Sequence, residues 1–307
     1  MRPESESGWV GEVFPTAELA RMTRLLPLGS ARRRRAKLLA TRALDAALAS
    51  RERALGTARR LDRAAAAVPP RELLVLGVYA PDGAADMAAA VAGLAASRHR
   101  ARFALGAIGD AAAPLAAETV AERMEGGKFA NLNRLVAEAG VGAADWVLVI
   151  DDDVVLPERF ADRVVAVAEG LDFDLAQPAQ TWSSDAAWRV TRRRPALARR
   201  TRFVETGPVT LMRRAVFEVA HPFSEEGMGW GLCLHWGALA QRHGWSLGIV
   251  DALAVRHERR GTASAYGEAE ALEAARRFLD SHEHIGYAEA QQVLASYRAL
   301  PASAEPF

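Results

Sequence analysis

Three adjacent carboxylates, Asp151, Asp152 and Asp153, follow the apolar run WVLVI (residues 146–150), and the chain then turns apolar again as VVLP. Two ionised carboxylates about 4 Å apart at an effective dielectric of 20 repel by roughly 4 kcal/mol. Three of them beside a core-type run therefore imply an offset: protonation, open solvent or a bound cation. In an extended chain side chains alternate faces at about 3.3 Å per residue, so Asp151 and Asp153 share one side about 6.6 Å apart and Asp152 faces the other. Such a pair can hold a hard divalent cation, directly or through water, with a polyphosphate completing its shell. Magnesium favours that arrangement. A histidine ligand tilts the choice to manganese, which accepts oxygen and imidazole together. His257, closing a later predicted strand, is the candidate third ligand.

The elements that must position these groups alternate between strands and helices. LLVLGVYA (73–80), RFALGAIGD (102–110) and WVLVI read as strands, with an alanine-rich helix near 84–96 after the first. In GKFANLNRLVAEAG (127–140), Phe129, Leu132, Leu135, Val136 and Ala139 share a helical face and Gly140 suits a C-terminal cap. A helix over 158–171 and a strand near 173–180 follow, then an arginine-rich stretch and a strand-like segment, FVETGPVTLMRR (203–214). A loop and helix over 222–245, a last strand ending on His257, a flexible loop (258–266) and a helical section complete the chain. Apolar strands joined by helices indicate an α/β fold with a mostly parallel sheet covered on both faces. Ligands of such sheets gather beyond the carboxyl ends of the strands, where both Asp110 and the aspartate triplet fall.

Over about residues 73–260 the order of these features resembles the GT-A glycosyltransferases of family 2, and VLVIDDDVVLP is similar to their DxD motif. The resemblance implies a Rossmann-like GT-A domain that moves a sugar from a UDP- or GDP-type donor to an acceptor hydroxyl, with inversion. It implies that Asp151 and Asp153, helped by His257, hold Mn2+ or Mg2+ on the diphosphate. Asp110 and Asp152 would contact ribose or base, and Lys128 of GGKFANLNRLV phosphate or base. Gly207 of TGPVTLMRRAVF would line the donor site, and loop 258–266 would close over it. Inverting members carry an acidic base at a helix start, but in FSEEGMGWGLCLHW it is Cys233 that stands where an acid is expected. Glu225 and Glu226, just before it, are the candidate bases, and a non-catalytic GT-A scaffold is the competing reading. Asp151, Asp153 and Val155 also satisfy the D-x-D-x-[TV] of haloacid-dehalogenase-type phosphatases, but no later acid pair completes that site. The glycine-rich phosphate loop of a nucleotidyltransferase is missing from GVYAPDGAADM.

Composition bounds the rest. The 307 residues, half of them hydrophobic with a net charge of +1, suffice for a large core. A single cysteine excludes an intrachain disulfide and a multi-cysteine zinc site. No apolar run approaches the roughly 18 residues of a membrane span, and no secretory signal opens the chain, so the expected location is the cytoplasm. Residues 1–70 hold 14 Lys/Arg against 7 Asp/Glu. They read as a basic helical extension, with Leu44, Leu48 and Leu55 at helical spacing, ended by Pro69 and Pro70. Its basic face is either solvated or rests, through residues 30–63, on the anionic inner face of a membrane. No base-reading pattern accompanies it, so no nucleic acid is expected. The implied organisation is this extension, a GT-A-like domain over 71–267 and a helical section over 268–307 packed on it. Trp230 and Trp236 are read as packing or sugar stacking, and Arg192–Arg194, Arg199, Arg200 and Arg202 as a solvated loop or a phosphate site.

Overall fold

The computed structural model describes residues 31–184, 186–226, 229–257 and 268–301. The expected closing loop, 258–266, lies outside them, as do the first 30 residues of the extension and the last six of the chain. At the centre is a ten-stranded sheet. Its strands are β1 (Glu72–Tyr79), β2 (Arg100–Ala107), β3 (Thr119–Ala121), β4 (Trp146–Asp151), β5 (Val154–Val155), β6 (Leu175–Gln180), β7 (Ala198–Thr201), β8 (Val209–Arg213), β9 (Leu247–His257) and β10 (Val293–Tyr297). They lie in the order β10-β7-β9-β6-β8-β4-β1-β2-β3, with β5 paired to β9. Pairings β1–β2, β1–β4, β2–β3 and β6–β9 are parallel, and β7 and β8 run against their neighbours. The expected mostly parallel α/β sheet is what forms.

Alternate residues of the strands feed two cores. Leu74, Leu76, Val147 and Val149 enter one, and Leu73, Val75, Trp146, Leu148 and Ile150 the other. Burial on both faces is why these strands are apolar throughout. Helices Ala84–Ala95 and Phe160–Gly170 cover the second face, and Lys128–Ala139 and Leu232–His243 the first.

The extension forms two helices, Ala31–Ala54 and Thr57–Ala67. Three acids contribute to its attachment. Asp45 accepts the backbone N–H groups of Trp182 and Ser183 and the Ser183 hydroxyl. Glu52 pairs with Arg193, and Asp62 with Arg159 and Arg163. Of the three leucines read as the packing face, only Leu48 is buried; Leu44 and Leu55 are exposed, as are Leu38 and Leu39. The first helix is held by ion pairs and capped backbone amides, and apolar burial is concentrated on the second helix, where Leu61 joins the core and Ala65 is buried.

Two further differences concern the ends of the sheet. The arginine-rich stretch is not simply a solvated loop: Arg192 holds backbone carbonyls and Arg193 pairs with Glu52. It contains strand β7, whose Arg199 is fully buried against Asp251 of β9. The C-terminal section, expected to be helical, has helices Glu268–Ser281 and Tyr287–Ala290 but also contributes edge strand β10.

Candidate active site

Strand β4 ends on Asp151, and the chain then turns through Asp152 and Asp153 into β5. The turn sends the three carboxylates to three different partners, which answers how their mutual repulsion is offset. Asp151 Oδ1 lies 2.5 Å from Lys128 Nζ, at the first residue of helix Lys128–Ala139. Asp152, buried, accepts the backbone N–H of Ala80 at 2.8 Å, tying β4 to the loop after β1. Asp153, also buried, is 3.0 Å from His257 Nε2. Register explains that last pairing, because Val154 of β5 sits opposite His257 of β9.

Electrostatics follow the geometry. Burial alone would depress the His257 imidazole. The hydrogen bond and charge of Asp153, with the charges of Asp151 and Glu205, outweigh it and hold the group up at about 9. His257 is therefore an imidazolium at neutral pH in this state. Its backbone N–H donates to Ser184 Oγ at 3.1 Å, and the Ser184 carbonyl accepts from Arg192 at 2.6 Å.

Two glycines permit this crowding. A Cβ on Gly207 would stand 2.9 Å from Asp151 Oδ2 and 3.0 Å from Lys128 Nζ, and Lys128 also donates to the Thr206 carbonyl at 3.1 Å. A Cβ on Gly83 would fall 2.1 Å from Asp152 Oδ2, so only glycine lets that loop close over the carboxylate.

Of the residues singled out in the sequence, Lys128, Asp151, Asp153, Gly207 and His257 converge. Asp152 joins them in sequence but turns to the Ala80–Gly83 loop, where it accepts the Ala80 N–H. Asp110 points outward. Its side chain is 73% exposed and pairs with Arg123 at 2.7 Å. The two residues before it do lie against the end of β1, through Ile108 N–H to the Tyr79 carbonyl and Gly109 packed near Pro81. Glu225 and Glu226 are exposed on a loop tied to Asn133, which donates to Glu225 and to the Phe223 carbonyl. Neither is brought to the aspartate cluster. Trp236 is buried in the core against Phe223, as packing requires.

Sequence reasoning missed Glu205. Its backbone N–H donates to Gln177 Oε1, and its Oε2 accepts from Gln180 Nε2 at 2.7 Å. Burial pushes this carboxyl up to about 7 against the pull of His257, Arg192, Gln180 and Thr191. Cys233, expected where an acid belongs, is buried, and burial followed by the Glu205 charge raises its thiol well beyond the usual range. It is neither a thiolate nor a base.

Among the described residues, no three His, Cys, Asp or Glu side chains are grouped to hold a metal ion by themselves. The donor set instead suits shared coordination. One carboxylate and one imidazole sit side by side, Asp151 adjoins them, and the remaining positions would fall to ligand oxygens.

Residues 107–276, more than half of the chain, match the family model "Glycosyltransferase like family 2". The chain belongs to this family. Among solved structures it is similar to GalNAc-T7 with UDP, GalNAc and Mn2+, at a TM-score of 0.52 and 12% identity, covering 69% of this chain. The match spans 48% of that structure's chain, about half its length. It is also similar to the mannosyltransferase PcManGT from Pyrobaculum calidifontis in complex with GDP-Man and Mn2+, at a TM-score of 0.50 and 11% identity, covering 83% of this chain and 79% of that one. No curated protein sequence matches. The expected GT-A fold and family 2 likeness are thus borne out: the chain has the GT-A fold and belongs to a glycosyltransferase family. No helix among the described residues is long and apolar enough to cross a membrane.

Proposed function

We propose that the protein transfers a sugar from a nucleoside diphosphate donor to an acceptor hydroxyl, with inversion, using a divalent cation at the Asp151–Asp153 turn. The observation that carries this reading is the pair of charge contacts, Lys128–Asp151 and Asp153–His257, at the carboxyl end of β4. It places one ammonium and one carboxylate–imidazole pair where an α/β sheet presents its ligands. UDP and GDP are the nucleotides to try first, since the two similar structures hold UDP and GDP-Man with Mn2+.

Asp153 and His257 would hold the cation, with Asp151 beside them; binding would displace the proton that His257 carries in the metal-free state. When bound, Mn2+ or Mg2+ supplies Lewis-acid stabilisation of the departing diphosphate. Lys128 binds the phosphate oxygens, and Gly207 leaves the space they need. Asp152, clamped on Ala80, holds the loop after β1 rigid beneath the nucleoside, whose base and ribose meet the rim from Tyr79 to Pro81 and from Ile108 to Asp110. A thermal shift tests the reading. With UDP or GDP sugars at about 100 times Kd, Mn2+-dependent binding stabilises by about 2.7 kcal/mol. No metal-dependent shift with any of these nucleotides would sink it.

We assign the anionic-surface contact to helix Ala31–Ala54. Its residues 35–40 are exposed and carry Arg35, Lys37, Leu38 and Leu39 together, and each basic residue adds about 1 kcal/mol near an anionic leaflet. The protein should co-sediment with phosphatidylserine vesicles and not with phosphatidylcholine vesicles. Equal sedimentation with both would remove the assignment.

A further inference from the structure

The family's usual acid position is occupied here by a buried, protonated Cys233, and the two glutamates nearest to it in sequence face solvent. An inverting transfer still needs a general base that can reach an acceptor hydroxyl, and a carboxylate can serve. The structure places one carboxylate in the gap, on a different element. Glu205 lies in the segment between β7 and β8, two residues before Gly207, a distance of at most about 7 Å along the backbone. Gly207 in turn abuts both Asp151 and Lys128. On its other side this segment meets the cysteine's helix. Phe203 and Val204 share a core with Leu232, Cys233 and Trp236, and the Arg202 carbonyl lies 3.1 Å from where a Cβ on Gly237 would be.

Glu205 is held as a reactive group must be. Gln177 fixes its backbone and Gln180 one carboxylate oxygen, both from β6 in the rigid centre of the sheet. The residue keeps partial exposure despite its dry surroundings. Beside it, Gln180 Oε1 is buried and lacks a partner among the described residues. Buried amide oxygens are rarely left unpaired, and this one is available to accept from a ligand hydroxyl.

We propose that Glu205 is the catalytic base, relocated from the helix start to the β7–β8 segment. The proposal rests on the donor-site reading above. The acceptor O–H gives its proton to the Glu205 carboxylate. The acceptor oxygen forms its bond to the anomeric carbon while the bond from that carbon to the diphosphate oxygen breaks. That electron pair leaves with the nucleoside diphosphate beside Lys128, and Glu205 returns its proton to solvent after product departs.

Water can serve as the acceptor, so the test needs no knowledge of the natural one. Nucleotide release from UDP and GDP sugars is measured with Mn2+ on the full chain, alongside the nucleotide-dependent thermal shift. Glu205→Gln should lower release about 100-fold or more and leave the shift within a degree of wild type. Glu205→Asp, which sets the carboxylate back by one methylene, should lower release at least tenfold and carries the test if the glutamine variant does not fold. Release by Glu205→Gln, or by Glu205→Asp where the glutamine variant does not fold, within about threefold of wild type overturns the proposal. So does a parallel loss of the shift, which would make Glu205 a donor-binding residue. A wild-type protein that binds donor and releases no nucleotide also overturns it, since the carboxylate is already in place. A wild type without any shift overturns the donor-site reading together with it.

Discussion

Asp153→Asn should abolish the Mn2+-dependent part of nucleotide stabilisation while leaving the fold intact. The substitution keeps the side chain's volume and shape, so the buried turn between β4 and β5 stays filled. It removes the negative charge that faces His257 Nε2 at 3.0 Å, and with it the stronger of the two donors a hard cation would find there. In the wild type a saturating nucleotide with Mn2+ is worth about 2.7 kcal/mol at 100 times Kd. At about 2–4 °C per kcal/mol for domains approaching this size, the shift is about 5 °C or more, and the variant should lose most of it. The metal-free melting temperature should fall by much less, because His257, relieved of Asp153, can become neutral in its buried position. Differential scanning fluorimetry with and without Mn2+ separates the two effects. An unchanged metal-dependent shift would move the cation away from this turn, and Asp151 would then be the group to test.

The positioning strands and the charged turn were legible in the sequence because both are local patterns. WVLVI followed by three aspartates reports a buried strand and its exit without any knowledge of the partners. Lys128, Gly207 and His257 were legible through their order along the chain, since each stands at the start or end of an element. What the sequence does not show is which residues meet across the sheet. Glu205 sits in the segment read as a strand over 203–214, and no spacing marks it; its partners Gln177 and Gln180 are 28 and 25 residues away. The one available signal was a lone carboxylate just ahead of Thr206–Gly207 in a run with no other charge. Asp110 shows the reverse difficulty, because a strand-end acid at the rim can also pair with a surface arginine, here Arg123, and the sequence does not show that partner. The leucines of the extension misled for a related reason. Their helical spacing predicts an apolar seam, but Leu48 and Leu61 are the buried leucines and Asp45, Glu52 and Asp62 add the polar docking contacts; nothing local in the sequence distinguishes a docking acid from a solvated one.

Arg199→Met should cost far more stability than Asp153→Asn, and its effect should reach the active site. The guanidinium is completely buried and makes a bidentate pair with Asp251, Nε to Oδ2 at 2.8 Å and a terminal nitrogen to Oδ1 at 2.9 Å. It also donates to the carbonyls of Val190 and Arg192. Removing one partner of a buried pair leaves a charge that must be kept dry and uncompensated, at a cost of about 3–5 kcal/mol. A drop of roughly 10 °C in melting temperature follows. Arg199→Met with Asp251→Leu should regain part of that loss, because no lone carboxylate remains. Recovery should be incomplete, since the Arg194 N–H that Asp251 accepts and the two carbonyls that Arg199 satisfies would still lack partners. The same carbonyl contact explains the functional reach. Arg199 holds the backbone of Arg192, and the Arg192 side chain holds the carbonyls of Thr181 and Ser184. Ser184 Oγ receives the His257 N–H. Loosening the buried pair therefore slackens the segment on which His257 rests, and the Arg199→Met protein should show a smaller Mn2+-dependent nucleotide shift even well below its own melting point. A variant whose stability stays within about 1 kcal/mol of wild type, well short of the loss expected for a broken buried pair, would show that the pair is dispensable. A fully retained shift in a destabilised variant would show that the segment holds its shape without it.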